Sequence, residues 1–468
     1  MSYIFGIAGC PQWEAPLLHV AGQLGEMPTH TAAIPGGLIG YSSQSACSCP
    51  RRCVWKGLDC SIVLSGFLSN RAELICLVQR RKFPLSDGDD GELALALYML
   101  FGQECVHMLH GRFTFVVYDA SQQILFLARD RFGLCPLYYV QHGSGLAFSS
   151  DPQLLLALPG ITPAITRQGL WQLLLAPHTH LSIWRDLRVF PAGHSAIFRN
   201  GHFTLRRSWF LRSRPCFDSG SFAAERLHAL QQQALEPYSS CGELVELPSS
   251  SNSTPSESDF RHALKRVWLP YSAAPEVLHL LQGYAGRSKP ILAAIGSRGL
   301  CASSPQTGVS LTLLNEKQLC QPDNAACLPP AQPPENFRLR RRQALQQLLA
   351  AASCFGSLAQ DMAVSVDFPF LDHRLIEYEY NLPDCEAFSA SVPCGASAGA
   401  SAAPSSLKSF SVPAVFLEGL TGADSPLLPF LNASRVETAL QHGELYPDLQ
   451  YLAIVNEWLR AHGALLSA

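Results

Sequence analysis

The sequence predicts a two-domain protein: a layered α+β N-terminal half of sheet and helix, then a mostly helical α/β C-terminal half. Three observations carry this. The chain has 468 residues, enough for two or three domains that each bury a core. Between Ser61 and Ser150 short apolar runs alternate with turn-like clusters. From about Ser221 onward apolar residues recur at helical spacing instead.

In the first half, Phe113–Tyr118, Ile124–Leu127, Leu137–Val140 and Leu146–Phe148 read as strands of one antiparallel meander. The intervening Asp119-Ala-Ser-Gln122, Arg129-Asp-Arg-Phe-Gly133 and His142-Gly-Ser-Gly145 supply the turns. Glu92–Phe101 reads as a helix packed on that sheet. In the second half Ser221 is the expected N-cap of a helix carrying Phe222, Leu227, Leu230 and Ala234 on one face. A second long helix is expected over Glu335–Ala352, and another over Tyr451–Arg460. Pro248–Ser258, Cys320–Pro334 and Ser389–Ser406 hold too few apolar residues to pack and read as loops or disordered insertions. The expected division is a domain over 1–205, a linker over 206–220 and a domain over 221–468 with a low-complexity insertion near 386–406.

Composition narrows the function classes. With 34 basic and 37 acidic residues the formal net charge is -3, which excludes a strongly basic nucleic-acid binder and an acidic tail protein. A hydrophobic content of 47% excludes a disordered chain. Charged residues reach only 15%, against about 25% in an average soluble domain, and a surface so poor in charge favours association. No apolar run approaches the roughly 18 residues of a membrane span. Ile7-Ala-Gly-Cys10 is similar to a lipoprotein cleavage box, but no Lys or Arg precedes it and its apolar stretch is too short for a signal peptide. A cytoplasmic protein is therefore expected, its 16 cysteines mostly reduced. Cys47, Cys49 and Cys53, with Cys60 nearby, lack paired C-x-x-C spacing; a loop with incidental thiols is favoured over a zinc site.

Several ordered segments resemble the glutamine-dependent asparagine synthetase family, whose relatives include β-lactam-forming synthetases and lasso-peptide cyclases. They are Phe5-Gly-Ile-Ala-Gly9, Gly111–Asp119, Leu127–Tyr139 with its Tyr138-Tyr139 pair, and Leu146–Ser150. Leu187–His194 is similar to the connector that follows, and Phe368–Glu377 with Asn381-Leu-Pro383 to a signature of the synthetase half. The resemblance implies an N-terminal αββα sandwich of the Ntn-hydrolase type, a class II glutamine amidotransferase-like domain. After it would come a shortened, mostly helical asparagine synthase-like domain of the PP-loop ATPase type.

The resemblance also implies a chemistry whose parts have changed. The family's N-terminal cysteine attacks the glutamine amide with its own α-amino group as base; Phe5 stands there, and Ser2, three residues out of register, is the weak alternative nucleophile of a serine-type N-terminal hydrolase. Ser65 and Gly66 match the glutamine-pocket loop, and Asp90 matches the residue that binds the substrate amine, unless it is only a solvated helix-start acid. In the synthetase half the pyrophosphate loop corresponds to Ser249, Ser250, Asn252 and Ser253 after Pro248, the alternative being a plain serine-rich loop. Serines resist the positive φ that glycine allows, and asparagine is a poor magnesium ligand. Arg298 stands where a second loop carries an acid. Ser365 and Asp367 replace an acid and a base, Leu417 and Glu418 occupy the place of a catalytic lysine, and Lys408 lies off position. One or two βα repeats are expected to be missing between the two loops.

Five changes point one way, to structure kept and catalysis discarded. The surviving Arg129-Asp-Arg131, Phe370-Leu-Asp372 and Tyr138-Tyr139 are explicable as packing, buried ion pairs and turn chemistry. The expectation is a pseudoenzyme without bound metal or cofactor, acting as scaffold or partner to an active relative, a biosynthetic enzyme or a peptide, with a homo-oligomer as a further option. The alternative is an active amide ligase using ATP and magnesium, either asparagine-forming or a macrolactam-forming cyclase.

Overall fold

The computed structural model describes residues 2–23, 29–43, 50–175, 182–218, 220–238, 243–245, 291–293, 313–314, 337–361, 364, 366–383, 414–442, 446–461 and 465–466. They divide into two compact units, Met1–Thr162 with Asp186–Arg212, and Pro163–Arg185 with Ser213–Ala468. Among the described residues no helix is long and apolar enough to cross a membrane.

The first unit holds two six-stranded antiparallel sheets. One comprises β1 (Ser2–Ala8), β2 (Thr29–Ile34), β3 (Gly37–Ser43), β8 (Tyr138–His142), β9 (Gly145–Ser149) and β11 (Arg188–Val189), in the order β11-β8-β9-β1-β3-β2. The other comprises β4 (Arg51–Trp55), β5 (Leu58–Leu68), β6 (Gly111–Asp119), β7 (Ile124–Arg129), β12 (His194–Arg199) and β13 (His202–Arg207), in the order β13-β12-β7-β6-β5-β4. Alternation along each strand builds two separate cores. Ile4, Ile39 and Phe148 from the first sheet meet Val63, Val116, Leu125 and Leu127 from the second. On its other face the second sheet presents Ile62, Leu64, Phe113, Phe115 and Phe126 to Leu74 and Val78 of α2 (Arg71–Arg80) and Leu93 and Leu97 of α3 (Asp90–Phe101). α1 (Glu14–Gln23) and α4 (Pro152–Leu156) cover the outer face of the first sheet, where the Tyr3 hydroxyl donates to the Ala21 carbonyl at 2.8 Å. The layers run helix, sheet, sheet, helix.

The strands expected over 113–148 are present, but they do not form one meander. β6 and β7 belong to one sheet, β8 and β9 to the other. The crossing is made by 130–137, which the pair Arg129-Asp130 holds in place. The buried Arg129 guanidinium donates to the carbonyls of Cys135 (2.6 Å), Gly133 (2.6 Å) and Phe190 (2.5 Å). The buried Asp130 carboxylate accepts from the amides of Phe132, Leu134 and Cys135. Together they satisfy the backbone polar groups of a buried loop, so these residues act through turn chemistry. β12 and β13 turn at Asn200-Gly201, both at positive φ (50° and 79°), the type I′ geometry that Asn-Gly favours.

The expected helix over 92–101 starts two residues earlier. Asp89 caps it by accepting from the Glu92 amide at 2.7 Å, and the Glu92 carboxylate gathers the amides of Ser86, Asp87 and Gly88.

The second unit contains a parallel three-stranded sheet, β14 (Glu243–Val245), β15 (Ile291–Ala293) and β16 (Val366–Asp367), in that order. β10 (Ala164–Ile165) pairs with β17 (Leu465–Leu466), also in parallel. The helices are α5 (Arg167–Leu175), α6 (Gly220–Leu235), α7 (Phe337–Asp361), α8 (His373–Asn381), α9 (Ala414–Glu418), α10 (Ala433–His442) and α11 (Tyr446–Ala461). α6 begins at Gly220, so Ser221 lies inside its first turn and is not the cap. α7 runs nine residues beyond the expected Ala352. Leu230 of α6 packs with Phe370 and Leu375, and Tyr378 donates to Asp218 at 3.0 Å. Asp372 caps α8 by accepting from the Arg374 amide at 2.8 Å and pairs with the Arg374 side chain at 2.9 Å. Trp458 of α11 is buried against Trp184, and Tyr451 donates to the Leu173 carbonyl of α5 at 2.6 Å.

Candidate functional site

Phe5 sits in the middle of β1, hydrogen-bonded in register between Gly40 of β3 and Ser149 of β9. It is 0% exposed. Ile4 and Ala8 point into the space between the sheets, so Tyr3, Phe5 and Ile7 point the other way, toward the layer of α1. The ring lies tilted beside that of Tyr3, centroids 6.0 Å apart, and covers Gly40, where a Cβ would overlap it. A glycine inside a strand marks such a close approach, and that signal lies in Gly37-Leu-Ile-Gly40. Ser2 opens the same strand, paired with Ser43. Its side chain is outside the described residues, as is Met1.

Ser65 and Gly66 lie near the end of β5, opposite Thr114 and Phe113 of β6. Gly66 has a φ of 132°, and a Cβ there would run into the Arg112 carbonyl. The position requires glycine on structural grounds alone. Cys60, Ile62, Leu64 and Leu68 of β5 face the helices, so Ser65 faces the space between the sheets with Val63. The ring of Phe5 and the side chain of Ser65 are therefore on different layers, and the fold does not bring them together. Thr114 shares the Ser65 side; its hydroxyl donates to the Cys135 carbonyl at 3.2 Å, and Arg112 donates to the Cys135 sulfur at 3.6 Å. Burial pushes that thiol up to about 11. A sequence motif gave no hint of this cluster.

Asp90 is the first residue of α3. Its side chain is 16% exposed, which corrects the solvated acid expected as one reading. It accepts from the Leu68 amide at 3.1 Å and lies 4.0 Å from Arg71. The acid thus ties the start of α3 to the strand end that carries Ser65 and Gly66. Asn70 finishes the corner, donating to the Met108 carbonyl and accepting from the His110 amide.

In the second unit, Ser249, Ser250, Asn252, Ser253 and Arg298 lie outside the described residues, as do Pro248, Ser365, Lys408, Cys47 and Cys49. The strands that lead into the two loops are described. β14 and β15 are adjacent and parallel, so both loops leave the same edge of the sheet. Asp367 ends the neighbouring β16 at that edge and is buried. Among the loop residues matched to the pyrophosphate and metal positions none is a carboxylate. Magnesium prefers octahedral oxygen ligation with one or two carboxylates, so this donor set does not fit it. Among the described residues no group of three or more His, Cys, Asp or Glu could hold a metal ion. Leu417 is buried on α9 and Glu418 beside it is exposed.

Comparison with known proteins agrees with the first unit. The family described as glutamine amidotransferase domain matches residues 53–209. Asparagine synthetase [glutamine-hydrolyzing] 3 of Bacillus subtilis is 29% identical over 189 residues, 40% of this chain and 31% of that protein. A putative asparagine synthetase [glutamine-hydrolyzing] 2 of Methanocaldococcus jannaschii is 35% identical over 105 residues, 22% of this chain and 19% of that protein. The chain therefore spans less than a third of the length of these relatives. Among solved structures, a glutamine phosphoribosylpyrophosphate amidotransferase from B. subtilis aligns with 62% of this chain and 81% of its own, at 14% identity and a TM-score of 0.36. The family match and the two asparagine synthetases relate the first unit to class II glutamine amidotransferase, asparagine-synthetase-like domains.

Proposed function

We propose that this chain is a degenerate relative of asparagine synthetase, without glutaminase or amide-ligase turnover, that serves as a scaffold or partner subunit in amide or peptide biosynthesis. In this reading the first unit is an Ntn-hydrolase-type sandwich and the parallel sheet of the second is what remains of a PP-loop ATPase-type core. Phe5 carries the argument. Glutamine hydrolysis of this class needs a nucleophilic side chain and a free α-amino base on one residue. The side chain at position 5 is a buried ring, and its backbone is paired on both sides within a strand. Asp90 and Gly66 keep structural work, an amide to accept and a φ to satisfy, that needs no substrate. The low charge content supports a surface that works against another protein, peptide or second copy.

One observation favours the second reading, an active ATP-dependent amide ligase or macrolactam cyclase. The two loop-bearing strands remain adjacent and parallel, and in open parallel sheets ligands bind at the carboxyl edge. The deciding experiment is ATP–pyrophosphate exchange with a panel of carboxylic acids and peptides, beside ammonia release from glutamine. The scaffold reading expects neither above the blank. Exchange that disappears when Ser249–Ser253 is mutated overturns it and establishes the ligase.

A further inference from the structure

β4 and β5 form a hairpin closed by Lys56-Gly57, both at positive φ (48° and 82°). Its register sets Cys53 directly opposite Cys60, so the two side chains leave the same face. Cys60 is 1% exposed inside the core beneath α2 and α3; Cys53 packs on the rim of that core and is partly exposed. Counting back from the turn, Trp55 and Leu58 close the hairpin, and Cys53 and Cys60 are the next hydrogen-bonded pair. The Asp59 carbonyl accepts from Ala120 on the far side, which leaves the Cys60 backbone turned toward β4. Residues so opposed have Cα atoms about 5.5 Å apart, within the roughly 4.4–6.8 Å that a disulfide spans, and Cβ atoms also about 5.5 Å apart, so closing the bond draws the two side chains together by about 1 Å. The two thiols also interact electrostatically. Both are free, and nothing in the amidotransferase-like site uses them.

We propose that Cys53 and Cys60 form a redox latch, a reversible cross-strand disulfide that fastens the edge strand β4 to β5. With a peroxide as oxidant, the more exposed Cys53 sulfur attacks a peroxide oxygen and becomes a sulfenic acid, releasing one water from hydrogen peroxide. The Cys60 sulfur then attacks Cys53, the S–S bond forms, and the sulfenic oxygen leaves as a second water with the Cys60 proton. Two electrons pass from the thiols to the peroxide. A dithiol reductant reverses the step by exchange.

The latch acts on the corner that holds Asp90. Arg51, two residues before Cys53, binds Asp87 and, at 2.7 Å, Asp89. Asp89 caps α3, and Glu92 of that helix collects the amides of 86–88. A β4 that is covalently held therefore pins the 84–90 loop; a β4 that frays as an edge strand releases it.

Trypsin cuts after Arg52, Lys56 and Arg71, separating the two cysteines into Cys53–Lys56 and Gly57–Arg71. The full chain is treated with hydrogen peroxide, its remaining thiols are alkylated, and the digest is weighed. The expected product is those two peptides joined, two hydrogens lighter than their sum and separated again by dithiothreitol. Amide exchange over 84–92 should slow in the oxidised protein, and Cys53→Ser should abolish both the cross-link and the slowing. Alkylation of both peptides, or pairing of Cys53 with another cysteine, overturns the proposal. So does a cross-link without slowed exchange, or slowing that persists in Cys53→Ser.

Discussion

The placement of Phe5 over Gly40 can be tested by a pair of substitutions whose effects should not add. Phe5→Ala removes a ring that is 0% exposed, and such core truncations destabilise by about 3–5 kcal/mol. Gly40→Ala puts a methyl group into the ring, and overpacking of this kind costs about 1–3 kcal/mol. Gly40 has no positive φ, so alanine is acceptable to its backbone and the clash is the whole penalty. With the ring gone the new methyl group enters vacated space. Additivity puts the double variant near 6 kcal/mol of destabilisation; the geometry puts it near 4, a coupling of about 2 kcal/mol. Urea denaturation of the full chain gives the energies, with the transitions of the two units fitted separately. Amide exchange of peptides spanning residues 3–8 and 37–43 assigns the loss to β1 and β3. Additivity to within about 0.5 kcal/mol would refute the packing of position 5 against Gly40.

Other outcomes follow from the same geometry. Phe5→Cys places a thiol on the α1-facing layer, away from Ser65, so ammonia release from glutamine should stay at the blank; turnover would contradict the assignment of faces. Burial holds the Asp151 carboxyl up near 6, although it caps α4 by accepting from Gln153 at 2.8 Å. An unfolded carboxyl titrates near 3.9, so between about pH 4 and 6 the native state keeps a proton that the unfolded chain has lost. Native stability therefore falls as pH rises through that window. Asp151 is partly exposed, which reduces the full effect of about 3 kcal/mol to about 1–2 kcal/mol. Asp151→Asn keeps the cap and should stabilise by that amount at pH 7.5 but not at pH 4; a pH-independent change in the urea midpoint would count against it. Arg129→Lys loses the planar fork that meets all three carbonyls at once and should cost the first unit about 3 kcal/mol, with faster amide exchange over 130–137. Gly66→Ala should cost about 3 kcal/mol through its φ and its clash with Arg112, with no dependence on glutamine.

Element type was legible wherever periodicity and local turn chemistry agreed. The strands over 113–148 are short apolar runs bounded by turn clusters, and the apolar run after Glu92 marks α3, though not its Asp89 cap. What could not be read was which sheet each strand joins. Strands separated by a short turn normally pair; the turn chemistry of Arg129-Asp130 was legible, but not the reach of Arg129 to the Phe190 carbonyl, 61 residues on, in the loop that carries the chain to the other sheet. The candidate site divides in the same way. Position 5 was legible from the Gly-Ile-Ala-Gly stretch that follows it. The face its ring occupies was not, because the register of β1 is set by β3 and β9, remote in sequence. Asp90 was legible as a helix start, whereas its burial depends on the Leu68 amide, 22 residues away.

The residues that survive at the amidotransferase-like site share a property that bears on why they survive. Gly66 and Gly111 hold φ values of 132° and 115° against opposing backbone, Arg129 and Asp130 satisfy the polar groups of a buried crossing, and Asp90 joins a strand to a helix. Each is required by the backbone whatever the site does, and losing any of them leaves strain or an unsatisfied buried group worth about 1–3 kcal/mol. In the reading proposed above, the nucleophile, the metal acids and the lysine would be groups whose side chains serve chemistry alone, and at a buried position an apolar residue such as Phe5 or Leu417 adds packing. A fold released from catalysis should therefore drift in this pattern, keeping the positions that strain or desolvation enforces and filling the reactive ones with apolar or neutral residues. An active ligase with altered motifs would instead need new charged groups near the carboxyl edge of β14 and β15. The acid placed there among the described residues is Asp367, so Asp367→Asn separates the two cases: if it changes ATP binding measured by calorimetry, the edge is still a site, and if it changes only the unfolding of the second unit, the edge is scaffold.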